Sequence, residues 1–396
     1  MAEKNKTSAT SWIDALVCNA VESRASDIHI EPDRDIVNVR FRIDGFLHVI
    51  EKLPVKELSG IISRLKVISQ LNITECRVPQ DGHFELDYKG KIHNLRLSTF
   101  PTIYGEAAVM RILNREDIMI NIDNLGFNKE QFDIIRKLIA RPYGMILITG
   151  PSGSGKTTLL YSILNNLNKS YSNIVTLEDP VELQMTNVRQ LQINESIGLS
   201  FSRAMRAVLR QDPNIVMIGE IRDPETAQMA IQAALTGVLV LSTFHTLDVP
   251  GVVTRLIEMG LPRSVMAHAL AGVVSSRLVR KICPHCAKAH QLDDFEKSFL
   301  GFKEKILALQ KPFGFQKGQG CDQCRNSGYL GRTGIYEIIY FDDEIKAKIL
   351  EGASVAVLKK AFQDKKMKNL REAAIEKVFE GVTDVEEVIR VTGIPL

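Results

Sequence analysis

The chain has 396 residues, 45% of them hydrophobic and 24% charged, as expected for a packed protein of two or three domains. A formal net charge of +3 is too small to argue by itself for nucleic acid or an anionic membrane surface as partner. No apolar run reaches the roughly 18 residues a membrane span needs, and the polar start Met1–Thr10 lacks the apolar core of a signal peptide, so a cytoplasmic protein is expected.

Residues 11–25 carry Trp12, Leu16 and Ala20 on one helical stripe. Ile36–Ile43 alternates like a strand, and Asp44-Gly45 turns it into a second, Phe46–Ile50. Val55–Leu71 reads as an amphipathic helix, followed by strand-like His83–Tyr88, Ile92–Phe100 and Ala107–Leu113. Residues 1–113 are therefore expected to form an α+β domain with an antiparallel sheet, joined by a polar connector, 114–127. From 128 to 280 strand and helix patterns alternate, which predicts a parallel, doubly wound α/β core. Residues 281–330 hold two cysteine pairs, and 331–396 read as a charged helical subdomain.

Within the core, Gly150-Pro151-Ser152-Gly153-Ser154-Gly155-Lys156-Thr157 is a complete GxxxxGK[ST] loop. Small residues let successive backbone N–H groups turn inward and cradle phosphate oxygens. Lys156 is expected on the β- and γ-phosphates, and the Thr157 hydroxyl on Mg²⁺. The apolar strand Met145–Thr149 precedes the loop, and a helical pattern opens at Thr158, which is counted with the cradle. That context makes it a nucleotide site rather than a Gly-rich turn.

Hydrolysis also needs carboxylates at strand ends. Ile215–Ile218 ends in Gly219-Glu220, and Ile174–Leu177 ends in Glu178-Asp179-Pro180. Ligands of open α/β sheets bind at the carboxyl ends of strands, so both acids are expected to face the γ-phosphate, one holding Mg²⁺ through water and the other orienting the attacking water. A third strand, Val238–Phe244, ends at His245, a candidate γ-phosphate sensor.

Cys283-Pro-His-Cys286 and Cys321-Asp-Gln-Cys324 predict a tetrahedral thiolate site for structural zinc. The 34 residues between the pairs (287–320) exceed ordinary ribbon spacing and imply a looped-out insertion. A redox CxxC is the competing reading, but two pairs are better explained by one closed metal site. His285 is a bystander, and Cys18 and Cys76 read as solitary buried thiols.

Three segments resemble signature boxes: Thr176–Glu182, Leu209–Pro213 with Gly219–Asp223, and Leu241–Thr246. They are similar to the Asp, Walker B and His boxes of the type II secretion / type IV pilus assembly ATPases. The likeness extends to Ala25–Pro32, Val39–Gly45, Arg77–Gly82, Arg277–Pro284 and Gly331–Glu337, and so covers most of the chain. It implies a PAS-like N-terminal domain, a RecA-like core, and a homo-hexameric motor with ATP between the two domains. Domain closure in that family moves an inner-membrane platform protein to assemble pilins or pseudopilins, which implies a cytoplasmic protein held at the membrane through partners. By position, the family's arginine fingers fall on Arg96 and Arg111, and guanidinium groups from another domain supply charge that a phosphate loop lacks. The cysteine pairs resemble the assembly branch and favour extension over retraction.

Several positions depart from the family pattern. The chain opens almost directly on the PAS-like domain, as expected either of a short form without the extra N-terminal domain or of a piece of a longer protein. Phe244 and Leu247 replace the usual Leu and Asn of the His box, and Ser276 stands where Gln often precedes Arg-Leu. A pilus retraction motor and a RecA-like nucleic-acid translocase are the alternatives. The latter would use Arg203, Arg206 and Arg210, which share a helical face, but no aromatic residues interleave them, so no nucleic acid is expected. A small-molecule kinase would need an acceptor pocket that nothing in the sequence marks.

Overall fold

The computed structural model describes residues 9–113, 118–246, 248–301, 314–365 and 367–393, so Leu247, part of the connector and residues 302–313 of the insertion lie outside the described residues. The chain divides into two compact units, with the boundary between Arg115 and Glu116.

The first unit holds α1 (Ala9–Glu22), β1 (Ala25–Pro32), β2 (Ile36–Ile43), β3 (Phe46–Pro54), α2 (Leu58–Ile68), β4 (Gln80–Tyr88), β5 (Lys91–Thr102) and β6 (Gly105–Leu113). Its six strands form an antiparallel sheet in the order β3-β2-β1-β6-β5-β4. Side chains alternate between faces with a period of two. Phe41, Ile28, Met110 and Leu97 stand opposite one another across β2, β1, β6 and β5, and all are buried in the cluster built with Ile13, Val17, Leu58, Ile62 and Leu65 of the two helices. One residue along, the same four strands carry Arg42, Asp27, Arg111 and Arg96 on the other face. Cys18 is half-buried and Cys76 is exposed, not buried as the sequence suggested. Cys76 lies on the connection from α2 to β4, where Leu71 rather than the cysteine packs against the core.

The second unit is built on a seven-stranded sheet, β15-β12-β7-β11-β10-β8-β9. Its strands are β7 (Gly144–Thr149), β8 (Ile174–Glu178), β9 (Val188–Gln192), β10 (Ile215–Glu220), β11 (Leu239–Phe244), β12 (Leu270–Ile282) and β15 (Tyr329–Tyr340), while β13 (Ala287–Ala289) and β14 (Gln316–Gly318) pair separately as a small antiparallel ribbon. The first six are parallel, and β15 closes one edge antiparallel to β12. A parallel sheet covered on both faces needs unbroken apolar strands; all six residues of β7 and of β11 are buried. α3 (Lys129–Ile139) and α4 (Lys156–Leu167) cover one face. α5 (Phe201–Val208), α6 (Pro224–Leu235), α7 (Val249–Glu258), α8 (Arg263–Ala269), α10 (Asp343–Leu350) and α11 (Val355–Asp364) cover the other. A third cluster joins α9 (Asp294–Phe299), α12 (Leu370–Phe379) and α13 (Val385–Thr392) to Val279 and Ile335 at the far ends of β12 and β15. Residues 329–340 form a full strand of the central sheet, and the helical part of the C-terminal stretch begins at Asp343. The fold is mixed α/β with a parallel sheet.

Candidate functional site

The phosphate loop leaves the end of β7 and enters α4, as its sequence context requires. Gly150, Gly153 and Gly155 have φ of 149°, 73° and 89°, values that favour glycine and turn successive N–H groups to one side. A side chain at Gly150 would meet Ser154 Oγ at 2.5 Å and the Ser276 carbonyl oxygen at 2.6 Å, so only glycine fits. Lys156 folds over the loop and donates to the carbonyls of Gly150 (2.8 Å) and Pro151 (2.9 Å). Burial lowers its ammonium pKa, nearby Arg277 adds to the fall, and the Glu220 carboxylate opposes it. Thr157 is exposed in the first turn of α4.

Two carboxylates end neighbouring strands, in different surroundings. Glu220, at the end of β10, pairs with Arg222 and lies 3.2 Å from His245 Nε2 at the end of β11. Glu178, at the end of β8, is buried, and its oxygens accept from the hydroxyls of Tyr161 and Thr176 and from the Gln190 amide. Burial together with this carboxylate drives the Tyr161 phenol pKa strongly upward, so Tyr161 stays a donor. The structure therefore gathers Lys156, Glu220 and His245, while Glu178 is committed to its own strand and to α4. Asp223, inside the same signature, caps α6 by accepting from the Thr226 N–H.

Several bracing residues carry no motif. Thr149 Oγ1 donates to the Thr246 carbonyl (2.7 Å) and accepts the Thr246 N–H (3.0 Å), tying the end of β7 to the end of β11. The buried Ser276 hydroxyl donates to the Ser154 carbonyl inside the phosphate loop, across 122 positions of sequence. Next to it, Arg277 lines a cavity of ≈ 350 Å³ with Asp248, Glu337 and Lys359. Burial pushes the Glu337 carboxyl up to about 7, and Asp248 adds to that shift. Of these, the small polar residue before the loop, Thr149, could have been picked out by position; Ser276 is marked in the sequence only as a departure from the family pattern, with no role attached.

Arg96 and Arg111 lie in the first unit, directly opposite each other on β5 and β6. The arginines of α5 and of the turn after it are engaged locally: Arg203 with the Gly198 carbonyl, Arg206 with Glu225, and Arg210 with the Arg206 carbonyl.

The four cysteines converge, with their Sγ atoms all within 4.8 Å of one another. The separations Cys283–Cys321, Cys286–Cys324 and Cys321–Cys324 are 3.9, 3.8 and 3.7 Å. These values far exceed a disulfide bond of about 2.05 Å. They match the edge, about 3.8 Å, of a tetrahedron with zinc–sulfur bonds of about 2.3 Å. Backbone N–H groups of Cys321 (3.2 Å) and Gly328 (3.3 Å) donate to Cys324 Sγ, as thiolate ligands require. Gly318 and Gly328 cross so closely that a Cβ on Gly318 would lie 1.9 Å from the Gly328 carbonyl oxygen. The cluster is compatible with zinc. Beyond it, the buried Glu387 accepts the Arg280 backbone N–H and pairs with the side chains of Arg280 and Arg390, fixing α13 to β12.

Comparison with known proteins places this geometry. The family described as type II/IV secretion system protein matches residues 2–390. The type IV pilus assembly ATPase PilB of Thermus thermophilus is 43% identical over 387 residues, 98% of this chain and 43% of that protein. The type II secretion system ATPase E of Vibrio cholerae is 42% identical over 381 residues, 96% of this chain and 74% of that one. The chain thus spans between two fifths and three quarters of the length of these relatives. Among solved structures, the ATPase DotB of Legionella pneumophila superimposes with a TM-score of 0.72 at 21% identity, covering 98% of this chain and 96% of that one. The pilus retraction motor PilT with bound ADP gives 0.64 at 24% identity, with 97% of each chain covered. Both share the mixed α/β fold. Among the described residues, no helix is long and apolar enough to cross a membrane.

Proposed function

Because the chain belongs to the family of type II/IV secretion system proteins, we propose that it is an ATP-hydrolysing motor subunit for pilin or pseudopilin assembly. In this reading residues 128–280 are a RecA-like core, 1–113 a PAS-like domain joined by 114–127, 281–330 a zinc-binding subdomain, and 331–396 a C-terminal subdomain. The observation that carries the proposal is the convergence of a glycine-shaped phosphate cradle, Lys156, and the Glu220–His245 pair at the carboxyl ends of adjoining parallel strands.

The N–H groups of Gly150 and of residues 152–158 bind the phosphates around Pro151, and Lys156 exchanges its two loop carbonyls for β- and γ-phosphate oxygens. The Thr157 hydroxyl would hold Mg²⁺, which would supply positive charge to the phosphates. Glu220 orients the attacking water, with His245 beside it to register the γ-phosphate. Glu178 acts through its hydrogen bonds to α4, keeping strand and cradle in register. Arg96 and Arg111 bring charge to the transferring phosphoryl group. Cys283, Cys286, Cys321 and Cys324 hold structural zinc.

The subunit assembles as a homo-hexamer in the cytoplasm, peripheral to the inner membrane, and works on a platform protein there. The likeness to a pilus assembly ATPase of Thermus thermophilus and a secretion ATPase of Vibrio cholerae supports assembly or secretion, and the cysteine pairs favour it over retraction. Local engagement of Arg203, Arg206 and Arg210 argues against a nucleic-acid translocase. Lys156→Ala is the direct test: phosphate release should fall by about 10²-fold or more, and a variant turning over ATP at the parental rate refutes the site.

A further inference from the structure

The segment Ala25–Pro32 has no part in the site as described so far, yet it places one buried acid among the arginines. Asp27 on β1 is 5% exposed. Its Oδ1 accepts from Arg111 Nε at 2.9 Å; its Oδ2 accepts from the Ser26 hydroxyl at 2.8 Å and lies 3.6 Å from Arg42 Nε. In the sheet register Asp27 stands opposite Arg111 on one side and Arg42 on the other, and Arg111 stands opposite Arg96. One carboxylate thus faces two guanidinium groups, Arg111 and Arg42, in a row that Arg96 extends.

The backbone is shaped for this placement. Ala25 pairs with Ile43 and Asp27 with Arg42, so Ser26 is an extra residue, a bulge in β1. Strict alternation from the buried Ala25 would turn Asp27 into the apolar core and Ile28 out of it. The bulge reverses that: Ile28 is buried among Phe41 and Met110, and Asp27 joins the charged row.

We infer that Asp27 is a positioning residue for Arg111, an inference that rests on the proposed role of Arg111 in hydrolysis. Guanidinium groups directly opposed on neighbouring strands repel, and a partly desolvated carboxylate offsets that repulsion with little screening. Among the described residues Arg111 is bound through Nε alone, to Asp27, and its side chain is 65% exposed. Gripped at Nε, it keeps both terminal nitrogens for the forked recognition of phosphate oxygens. Arg42, farther from the carboxylate and bonded to the Gly45 carbonyl, is not aimed in this way.

The test is a double-mutant cycle on the full chain, with kcat and KM for ATP read alongside the Trp12 fluorescence melting midpoint. Asp27→Asn keeps the shape and removes the charge. It should lower kcat by about tenfold or more, leave KM within about twofold, and cause no further loss in an Arg111→Ala background. Asp27→Glu, which keeps the charge and guards against a folding defect, should recover most of kcat. Parental kcat in Asp27→Asn, or the same proportional loss with and without Arg111, overturns the inference while leaving the role of Arg111 intact. An Arg111→Ala variant with unchanged kcat overturns that role, and the inference with it.

Discussion

In the N-terminal sheet every second side chain of β2 leaves the core, whereas in the larger sheet all six residues of β7 and of β11 are buried. The first arrangement is antiparallel with helices on one face, so arginines can gather on the other face at no expense to packing. The second is closed on both faces, so chemistry is confined to strand ends, where Lys156, Glu220 and His245 meet. Position in a sheet therefore decides what a polar side chain can do. On the open face a charge is available for a ligand; inside the closed sheet it must be matched, as Glu178 is by Tyr161, Thr176 and Gln190.

The comparison can be broken most forcefully at the metal cluster. The larger sheet ends in β12 and β15, and each strand borders a cysteine pair, whereas the smaller sheet has no such staple among its described residues. Cys283→Ser should abolish binding of about one zinc per chain and lower the circular-dichroism midpoint by on the order of 10 °C. Trp12, the single tryptophan, lies in the first unit and should keep its fluorescence midpoint. Zinc-free protein with the parental midpoint would show that the edge of the sheet needs no metal.

A second test targets the open face. Removing both Arg96 and Arg111 should lower kcat on the order of 10³-fold, about 4 kcal/mol of transition-state stabilisation. ATP affinity should change only a few-fold, while the Trp12 midpoint should fall by a few degrees, because the buried Asp27 carboxylate loses its Arg111 partner. Equal losses in binding and turnover would mean that these arginines serve the ground state or the fold.

The sequence made the closed sheet legible because burial on both faces writes itself as unbroken apolar runs, and the phosphate loop because its glycines are demanded by backbone geometry. β9 (Val-Arg-Gln-Leu-Gln) escaped notice since an edge strand tolerates polar residues, and β15 because its glycines and charges disguise a strand buried mainly by pairing with β12. The two acids were found as strand ends, but their separation into a strand-bound Glu178 and a histidine-paired Glu220 depends on neighbours from α4, β9 and β11. Asp27 was visible only as part of a motif, since its partners lie 15 and 84 positions away.

The smallest effect sharpens the comparison most, because it separates two adjacent hydroxyls of one strand. Ser276 donates to the Ser154 carbonyl in the phosphate loop, whereas the buried Ser275 Oγ finds no partner among the described residues. A hydrogen bond of this kind contributes about 1 kcal/mol, and an unpartnered buried hydroxyl contributes nothing or destabilises. Ser276→Ala should therefore weaken nucleotide binding about fivefold while kcat at saturation holds, since the hydroxyl braces the cradle and touches no reacting atom. Ser275→Ala should leave binding unchanged and melt at the same temperature or slightly higher. Calorimetric titration with ATP analogue measures both variants. Equal affinities would mean that the glycines alone set the shape of the loop, and that the tie between β12 and the cradle is incidental.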